Sequence, residues 1–342
     1  MNVNEIIWED AAQVVENVDF SSLLYKTVLV TGATGMIGTH LLATLALLNE
    51  KGWGMKVFGV YHSDPESHTQ EIAERGGIYL VNDHRDSMAL GADVIIHAAG
   101  YAQPVVFTKD PAATIRINTT TTDLLLRCLY PGGQFLFISS SEVYSGLGGL
   151  VTESSIGNTN PLHPRACYIE GKRCGEAIVN AYRQTGVDAK SARLSLAYGP
   201  GTRKHDKRAM SQFIAQALME NEIKLKYSGR EPRTFCYISD AIEMLWRVLL
   251  RGKQPVYNVG GESVTNMAGV AAMIAHHTGA MLTIPAEESV LEGAPLVVSM
   301  DLTRIKQEFG KKDFISLEDG LKRTIDWQRG LYVRAIRLME GQ

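Results

Sequence analysis

A tyrosine and a lysine four residues apart, Tyr168 and Lys172, are the pair in this sequence best suited to acid–base chemistry. On a helix, residues at this spacing lie on one face, so the phenol and the ammonium would be neighbours. A nearby cation stabilises phenolate and lowers the pKa of a tyrosine from about 10 towards that of a general base. Solvated helices also carry this spacing, so the pair indicates catalysis only together with the segments described next.

The second candidate segment is SSSE at residues 139–142, which directly follows the apolar run QFLFI. Polar residues at the carboxyl end of a strand lie where α/β proteins bind ligands. A serine there can donate a hydrogen bond to the substrate hydroxyl that Tyr168 deprotonates, and Glu142 can act as acid or base at a neighbouring carbon. Serines after a strand also cap turns, but the combination with Tyr168 and Lys172 favours catalysis.

A glycine-rich turn, TGATGMIG at residues 31–38, is the candidate phosphate-binding segment. Its glycines suit a tight exit from a strand, close approach of a pyrophosphate, and close packing of the next helix on the sheet. The N-terminus of that helix offers unpaired N–H groups and the positive end of a dipole to the anion. The predicted cofactor contacts from this turn are Gly32, Thr34, Gly35, Met36, Ile37 and Gly38.

The adenosine side of the predicted cofactor site departs from the usual pattern. Tyr61 stands at the end of the second predicted strand, where a carboxylate commonly accepts hydrogen bonds from the ribose hydroxyls. His62 beside it can assist, and no arginine stands there for a 2′-phosphate. Asp83, after the third predicted strand, can accept from the adenine amino group. The pattern predicts NAD as the cofactor and does not exclude NADP.

These residues need a sheet that brings the ends of several strands together. Apolar, β-branched runs predict strands at residues 27–31, 57–61, 78–81, 93–99, 134–140 and 188–198, with helical stretches such as 5–18, 37–48 and 209–220 around them. The alternation predicts an α/β protein with a doubly wound parallel sheet of Rossmann type. A smaller, partly interleaved C-terminal substrate lobe follows. The predicted divisions are a helical extension at 1–26, the NAD(P)-binding domain at 27–195 and the lobe at 196–342, some of whose segments return to the first domain.

Composition excludes several other classes. The 342 residues carry 34 Lys plus Arg and 37 Asp plus Glu, a net charge of −3, which is unlike a nucleic-acid-binding protein. The four cysteines show neither CxxC nor zinc-finger spacing, so no metal is expected. The first residues are acidic where a signal peptide needs bases, and the apolar runs are too short for a membrane span. We therefore expect a cytoplasmic protein without a membrane partner.

Eight segments together resemble a known family. TGATGMIG, DVIIHAAG, NTTTTDLLL, SSSEVY, YIEGK, YGPG, RTFCYISDA and YNVGG occur in the order seen in extended short-chain dehydrogenases/reductases. The sequence resembles their NAD-dependent nucleotide-sugar epimerase/dehydratase family over about residues 27–330. Within it, CYIEGKR at 167–173 and SSEVY at 140–144 are most similar to UDP-glucuronate decarboxylases, whose patterns resemble CYDEGKR and TSEVYG.

The resemblance implies a role for individual residues. Tyr168 would be the base, Lys172 would also hold the nicotinamide ribose, Ser140 would take the catalytic Ser/Thr position and Glu142 the additional acid/base position. Arg233 in EPRTFCYISD resembles the family's arginine that grips the nucleotide diphosphate. Further cofactor contacts would be Ala98, Ala99, Gly100 and Asn118, and further substrate contacts would be Ser141 and Arg203. The basic loop around Arg203 also suits a solvated face.

The shared reaction implied by the family is transient oxidation at C4 of the sugar, followed by decarboxylation, 4,6-dehydration or C4 epimerisation. Glu142 favours the first two, since epimerisation requires no extra carboxylate. Three departures from the family pattern count against the decarboxylase assignment. Gly201 stands in place of the arginine of GPR and favours epimerisation, Leu196 stands where an asparagine often contacts the sugar nucleotide, and Ser145 stands where the family usually has glycine.

The leading hypothesis is a UDP-glucuronate decarboxylase-like enzyme, with a 4-epimerase or 4,6-dehydratase as alternatives. A non-catalytic dinucleotide-binding sensor or scaffold is a hypothesis of another class, whose expected mark is loss of the Tyr or the Lys. A net reductase of a small carbonyl is a third. The resemblance also implies a homodimer.

Overall fold

The computed structural model describes residues 5–82, 91–203, 206–230, 232–285 and 298–339. Within these residues the main sheet has seven parallel strands in the order β11-β7-β5-β4-β1-β2-β3. A second sheet contains β12, β10, β14, β6 and β8, and β9 pairs with β13. The strands are β1 Thr27–Thr31, β2 Lys56–Val60, β3 Tyr79–Val81, β4 Ala92–His97, β5 Leu129–Ser140, β6 Gly149–Val151, β7 Asp188–Leu194, β8 Leu196–Tyr198, β9 Glu222–Lys224, β10 Pro232–Tyr237, β11 Val256–Val259, β12 Ser263–Asn266, β13 Met281–Thr283 and β14 Val298–Met300.

Helices cover both faces of the main sheet. One face packs against α2 and α9, with α1 and α3 outside α2, and the other packs against α6 and α7, with α5 beside α7. The α-helices are α1 Glu5–Asn17, α2 Met36–Glu50, α3 Ser67–Gly76, α4 Pro104–Phe107, α5 Pro111–Asn118, α6 Thr120–Arg127, α7 Ala166–Gln184, α8 Ala209–Glu220, α9 Ile238–Arg251, α10 Met267–Thr278, α11 Thr303–Phe309 and α12 Leu317–Met339. Short 3-10 turns span Ser21–Leu23 and Ser141–Tyr144.

The central strand β1 shows why its sequence is apolar on both sides. Val28 and Val30 belong to the core beneath α2, whereas Leu29 belongs to the core on the opposite face. Successive side chains of a strand point to opposite faces, so a strand covered on both faces requires a continuous apolar run. The predicted doubly wound α/β fold is confirmed by this arrangement.

Most predicted elements are found within two residues of their expected ends, and one prediction is wrong. The run at 188–198 is not a single strand: β7 lies in the main sheet, whereas β8 pairs with β10 in the second sheet. Ser195 separates them, and its backbone N–H still donates to the carbonyl of Val259 in β11. The residue pattern of this run does not indicate that the chain leaves one sheet and enters another.

The two sheets are interleaved along the chain, because each contains a strand from the part of the sequence that mainly forms the other sheet. β6 joins the second sheet although it precedes β7 in the chain, and β11 returns to the edge of the main sheet. Helix α1 packs on α2 and α9, with Ile7 and Val14 fully or almost fully buried. In the part of the chain that the structure describes, no helix is long and apolar enough to cross a membrane. The division boundaries near residues 26 and 195 stay predictions.

Candidate active site

A cleft with a volume of 320 Å³ lies at the carboxyl edge of the main sheet. The turn after β1, the segment after β4, the end of β5 and helix α7 form its main-sheet side, and residues after β7 form the opposite side. Parallel strands place their carboxyl ends together, which explains why segments distant in sequence meet here. The cleft lining includes predicted residues from the glycine turn and all four predicted catalytic residues.

The glycine turn has the backbone that its sequence predicts. Gly32 has φ of +71°, and a Cβ on it would lie 2.7 Å from backbone atoms of Ala98 and Ala99. A Cβ on Gly38 would lie 2.2 Å from the Gly32 carbonyl oxygen. Both positions therefore require glycine. The loop at Gly32 contacts the backbone that follows β4, and the start of α2 at Gly38 contacts that loop. The open N-terminus of α2 faces the cleft through Met36 and Ile37.

Tyr168 and Lys172 lie on the buried face of α7. Burial raises the pKa of Tyr168 to about 12, an effect that a hydrogen bond with Ser140 partly opposes. Burial also lowers the pKa of Lys172 to about 7. The Lys172 Nζ donates to the carbonyl of Ile138 at 2.7 Å and lies 5.9 Å from the centre of the Tyr168 ring. Phe107 stacks on Tyr168, with ring centres 5.0 Å apart.

The three serines after β5 have different environments. Ser140 Oγ accepts from the backbone N–H of Glu142 at 3.2 Å and is hydrogen-bonded to Tyr168. Ser139 Oγ instead donates to Glu176 at 2.5 Å, and Glu176 is ion-paired with Arg193. Alternation along the strand turns these neighbours to opposite sides. Ser140 is therefore the serine that the fold presents to Tyr168, as the family resemblance implies.

Glu142 does not stand alone in the cleft. Arg165, one turn before Tyr168, forms a bidentate ion pair with it, at 2.5 Å from Nη2 to Oε1 and 3.2 Å from Nε to Oε2. The two side chains are only 15% and 16% exposed, so water screens the pair weakly. The Arg165 guanidinium also lies 5.4 Å from the centre of the Phe107 ring. The site thus holds a carboxylate and a guanidinium beside the predicted base.

Other predicted cofactor residues surround Lys172 and the turn. The Ala99 N–H donates to Thr31 Oγ1 at 3.2 Å, which ties the end of β4 to the glycine turn. A Cβ on Gly100 would lie 3.6 Å from Lys172 Nζ and 4.0 Å from Asn118 Oδ1, both ordinary contact distances, and Gly100 lines the cleft. Asn118 is fully buried, and its Oδ1 has no hydrogen-bond partner among the described residues.

The adenosine end is defined less completely. Tyr61 is half-buried just after β2, and its N–H donates to the carbonyl of Val81 in β3. His62 is exposed beside it. The prediction for Asp83 falls outside the described residues.

Of the three predicted substrate residues, two line the cleft and one does not. Ser141 lines the cleft as the first residue of the 3-10 turn. Arg203 also lines the cleft, but its Nη2 donates to Thr34 Oγ1 at 3.0 Å, against the glycine turn. Arg233 lies on β10 opposite Thr265, and the described cleft lining does not include it. Substrate contact by these three residues stays a prediction.

Sequence reasoning missed two residues that shape the site. Arg165 precedes Tyr168 by three residues, a helical spacing that could have suggested a shared face with the predicted base. Phe107 comes from α4, and nothing local in the sequence indicates that its ring covers Tyr168. Long-range stacking of this kind is set by the fold.

A parallel sheet with a dinucleotide turn after β1 and a buried Tyr–Lys pair on α7 defines an extended short-chain dehydrogenase/reductase. The model of the NAD dependent epimerase/dehydratase family matches residues 28–260, and the chain belongs to that family. It is 31% identical over 297 residues to UDP-glucuronic acid decarboxylase 6 of Arabidopsis thaliana, covering 86% of each chain. It is 30% identical to UDP-glucuronic acid decarboxylase 1 of Xenopus tropicalis, covering 89% of this chain and 72% of that one. The prediction of an NAD-dependent enzyme is confirmed.

Solved structures support the fold. A UDP-glucuronic acid 4-epimerase from Bacillus cereus, in complex with UDP-glucuronic acid and NAD, matches with a TM-score of 0.74 and 24% identity, covering 90% of this chain and 100% of that one. A dTDP-glucose 4,6-dehydratase from Bacillus anthracis in complex with NAD matches with a TM-score of 0.72 and 20% identity, covering 88% and 96%.

The described residues fit NAD. Three features are suited to it: the close backbone approach at Gly32, the position of Gly100 in the cleft lining, and the buried Asn118 Oδ1, which has no partner among the described residues. When bound, the nicotinamide accepts a hydride from a substrate carbon and can return it. Lys172 Nζ lies 5.9 Å from the centre of the Tyr168 ring, and its contact with the nicotinamide ribose stays a prediction. The Ser140 hydrogen bond and the positive charge of Arg165 partly oppose the burial that raises the pKa of Tyr168.

Proposed function

We propose that this chain is a decarboxylase of a nucleotide-linked uronic acid, with UDP-glucuronate as its first candidate substrate. The observation that carries the proposal is the Glu142–Arg165 pair beside Tyr168 and Ser140 in one cleft. Arg165 offers a planar guanidinium suited to a sugar carboxylate, and Glu142 offers an acid/base group next to the oxidation site. The names of the curated relatives support the same chemistry.

Each step has a residue in this chain. Tyr168, hydrogen-bonded with Ser140, takes the proton of the C4 hydroxyl while the hydride leaves C4, which gives a 4-keto sugar. The C6 carboxylate is then β to a ketone. The C5–C6 bond breaks, its electron pair forms an enolate, and carbon dioxide leaves. Glu142, released from Arg165 and protonated from solvent, gives that proton to C5 and becomes a carboxylate again, and Tyr168 returns the C4 hydroxyl proton as the hydride returns to C4.

The same pair supports a second candidate, C4 epimerisation. Both Glu142 oxygens accept hydrogen bonds from Arg165, so neither is free for proton transfer while the pair is closed. If the substrate does not open the pair, the C5–C6 bond stays intact. Hydride return to the other face of the ketone then inverts C4.

Purified protein incubated with NAD and UDP-glucuronate tests the proposal. We expect carbon dioxide release and a UDP-pentose by mass spectrometry. A product of unchanged mass with inverted C4 would reject decarboxylation and support the epimerase. Intact UDP-glucuronate with no inverted product would reject this substrate for both reactions.

Two tyrosine variants on α7 provide a matched comparison. Tyr168→Phe removes the proposed base, whereas Tyr182→Phe removes a phenol that donates to Asp123 at the other end of the helix. We expect the first to abolish turnover and the second to retain it. Equal turnover by both variants would reject the role of Tyr168.

We also propose that the chain forms a homodimer through α5, α6 and α7. Ile115 on α5 and Leu124 on α6 are 44% and 36% exposed, and the exposed positions of α7 include the small residues Ala177 and Ala181. Leu124→Arg is expected to halve the mass seen by sedimentation, and Met219→Arg on α8 is the control. A wild-type monomer would reject the proposal.

Cytoplasmic placement stays a prediction, supported by four free cysteines.

A further inference from the structure

Arg203 crosses from the substrate side of the cleft to its adenosine side. Its Nη2 donates to Thr34 Oγ1 at 3.0 Å and to the carbonyl oxygens of Ser63 and Asp64 at 3.3 and 3.2 Å. Thr34 Oγ1 in turn donates to the Ser63 carbonyl at 3.2 Å. The guanidinium therefore joins the phosphate turn to the segment that follows β2. In dinucleotide-binding sheets this is where the adenosine ribose lies.

The charges around Arg203 favour an added anion. Its three acceptors are neutral oxygens, so no carboxylate among the described residues neutralises it. Of the nearby acids, Asp206 is neutralised by a bidentate pair with Arg208, and the Asp64 side chain is exposed. Tyr61 occupies the position where an acid would accept from the ribose hydroxyls and repel a 2′-phosphate. The positive charge of Arg203 is thus uncompensated, and the region that it faces lacks the carboxylate that usually repels a 2′-phosphate.

We propose that this cleft accepts the 2′-phosphorylated dinucleotide NADP as well as NAD, and that Arg203 recognises the 2′-phosphate. Its Nη1 and Nε make no hydrogen bond to a described residue, which leaves two donors for phosphate oxygens. An arginine at this place is the recognised physical means of accommodating a 2′-phosphate. The arginine comes from the loop after β8, so inspection of the β2 end alone does not reveal it.

Calorimetric titration of nucleotide-free protein with NADP and with NAD tests the proposal without any sugar substrate. We expect the wild type to bind both, and Arg203→Met to weaken NADP binding by about 10- to 100-fold, the usual range for a hydrogen bond to a charged group. NAD binding should change by no more than about threefold under the same reasoning. Lys207→Met, which removes an exposed cation of the same loop, is the control and should change neither.

A second variant makes the test independent of the Arg203 loop. Tyr61→Asp restores the carboxylate at the end of β2 and should weaken NADP binding selectively. Absence of NADP binding by the wild type would overturn the proposal. So would equal weakening of NAD and NADP by Arg203→Met, because that result indicates a general contact with the cofactor. Nucleotide binding alone is measured, so failure of the proposed decarboxylation would leave these outcomes unaffected.

Discussion

Replacing Arg165 by methionine separates recognition of a carboxylate from the rest of the reaction. The substitution keeps a flexible, unbranched side chain and removes the two hydrogen bonds to Glu142, at 2.5 and 3.2 Å. If Arg165 also binds the substrate carboxylate, the variant loses one charge-assisted interaction in a cleft where the arginine is 15% exposed. Such an interaction contributes about 2 to 3 kcal/mol, which corresponds to about 30- to 150-fold in affinity.

The assay compares two ligands that differ only at C6. Affinity for UDP-glucuronate should fall by the full factor, whereas affinity for UDP-glucose should change by a few-fold at most. Arg165 also lowers the pKa of Tyr168, so some loss of C4 oxidation is expected with both sugars. Arg183→Met, at the far end of α7, is the control, since Arg183 donates to the carbonyl oxygens of Ala189 and Lys253.

Glu142→Gln should not weaken uronate binding as Arg165→Met does, but it should reduce carbon dioxide release. It removes the carboxylate that holds Arg165, so the guanidinium keeps its full charge for the ligand. UDP-glucuronate should bind at least as tightly as to the wild type, while carbon dioxide release should fall. Equal loss of affinity for both sugars in Arg165→Met, or weaker uronate binding in Glu142→Gln, would refute the assigned roles.

Three further predictions follow from the packing and burial. Gly38→Ala should lower the melting temperature, because its Cβ would meet backbone, whereas Gly100→Ala should keep the fold and weaken NAD binding in calorimetry. Burial raises the pKa of Asp10 from its usual 3.8 to about 6, so the folded state holds the proton more strongly. Unfolding by denaturant should show wild-type stability falling by about 3 kcal/mol relative to Asp10→Asn as pH rises from 3.8 to 6, and parallel curves would contradict this. Burial lowers the pKa of Lys172 from 10.5 to about 7, so the folded state binds the proton less strongly than the unfolded state. The wild type should therefore gain stability relative to Lys172→Met as pH rises from about 7 to 10.5, and a constant difference would contradict that.

The parts of the site that the sequence predicts are those with a local cause. The glycine turn follows from a strand, three glycines and a helix, and Tyr168 and Lys172 share a face because four residues make about one helical turn. The carboxyl edge of a parallel sheet then brings Ser140 to the same cleft. These inferences need only the period of each element and the order of the strands.

The parts that sequence alone does not predict depend on contacts between distant segments. Strand alternation separates the two serines, but the partners of Ser139 come from elsewhere in the chain: the Glu176 carboxylate on α7, which is ion-paired with Arg193 on β7. Arg203 reaches Thr34 across 169 positions of the chain, which no local pattern indicates.

The departures from the family pattern fall where substrate is contacted. Tyr168, Lys172 and Ser140 match the family pattern in type and all line the cleft, so the residues proposed for C4 oxidation are present together. Leu196 lines the same cleft and is 43% exposed, an apolar group at a position where the family pattern implies an asparagine. Gly201 has φ of +84°, a conformation that would strain an arginine, so the backbone at this position suits glycine. A thermal-shift screen across UDP-, dTDP-, GDP- and CDP-sugars tests the sugar and nucleotide selectivity of this cleft, and it should show its largest stabilisation with the true substrate.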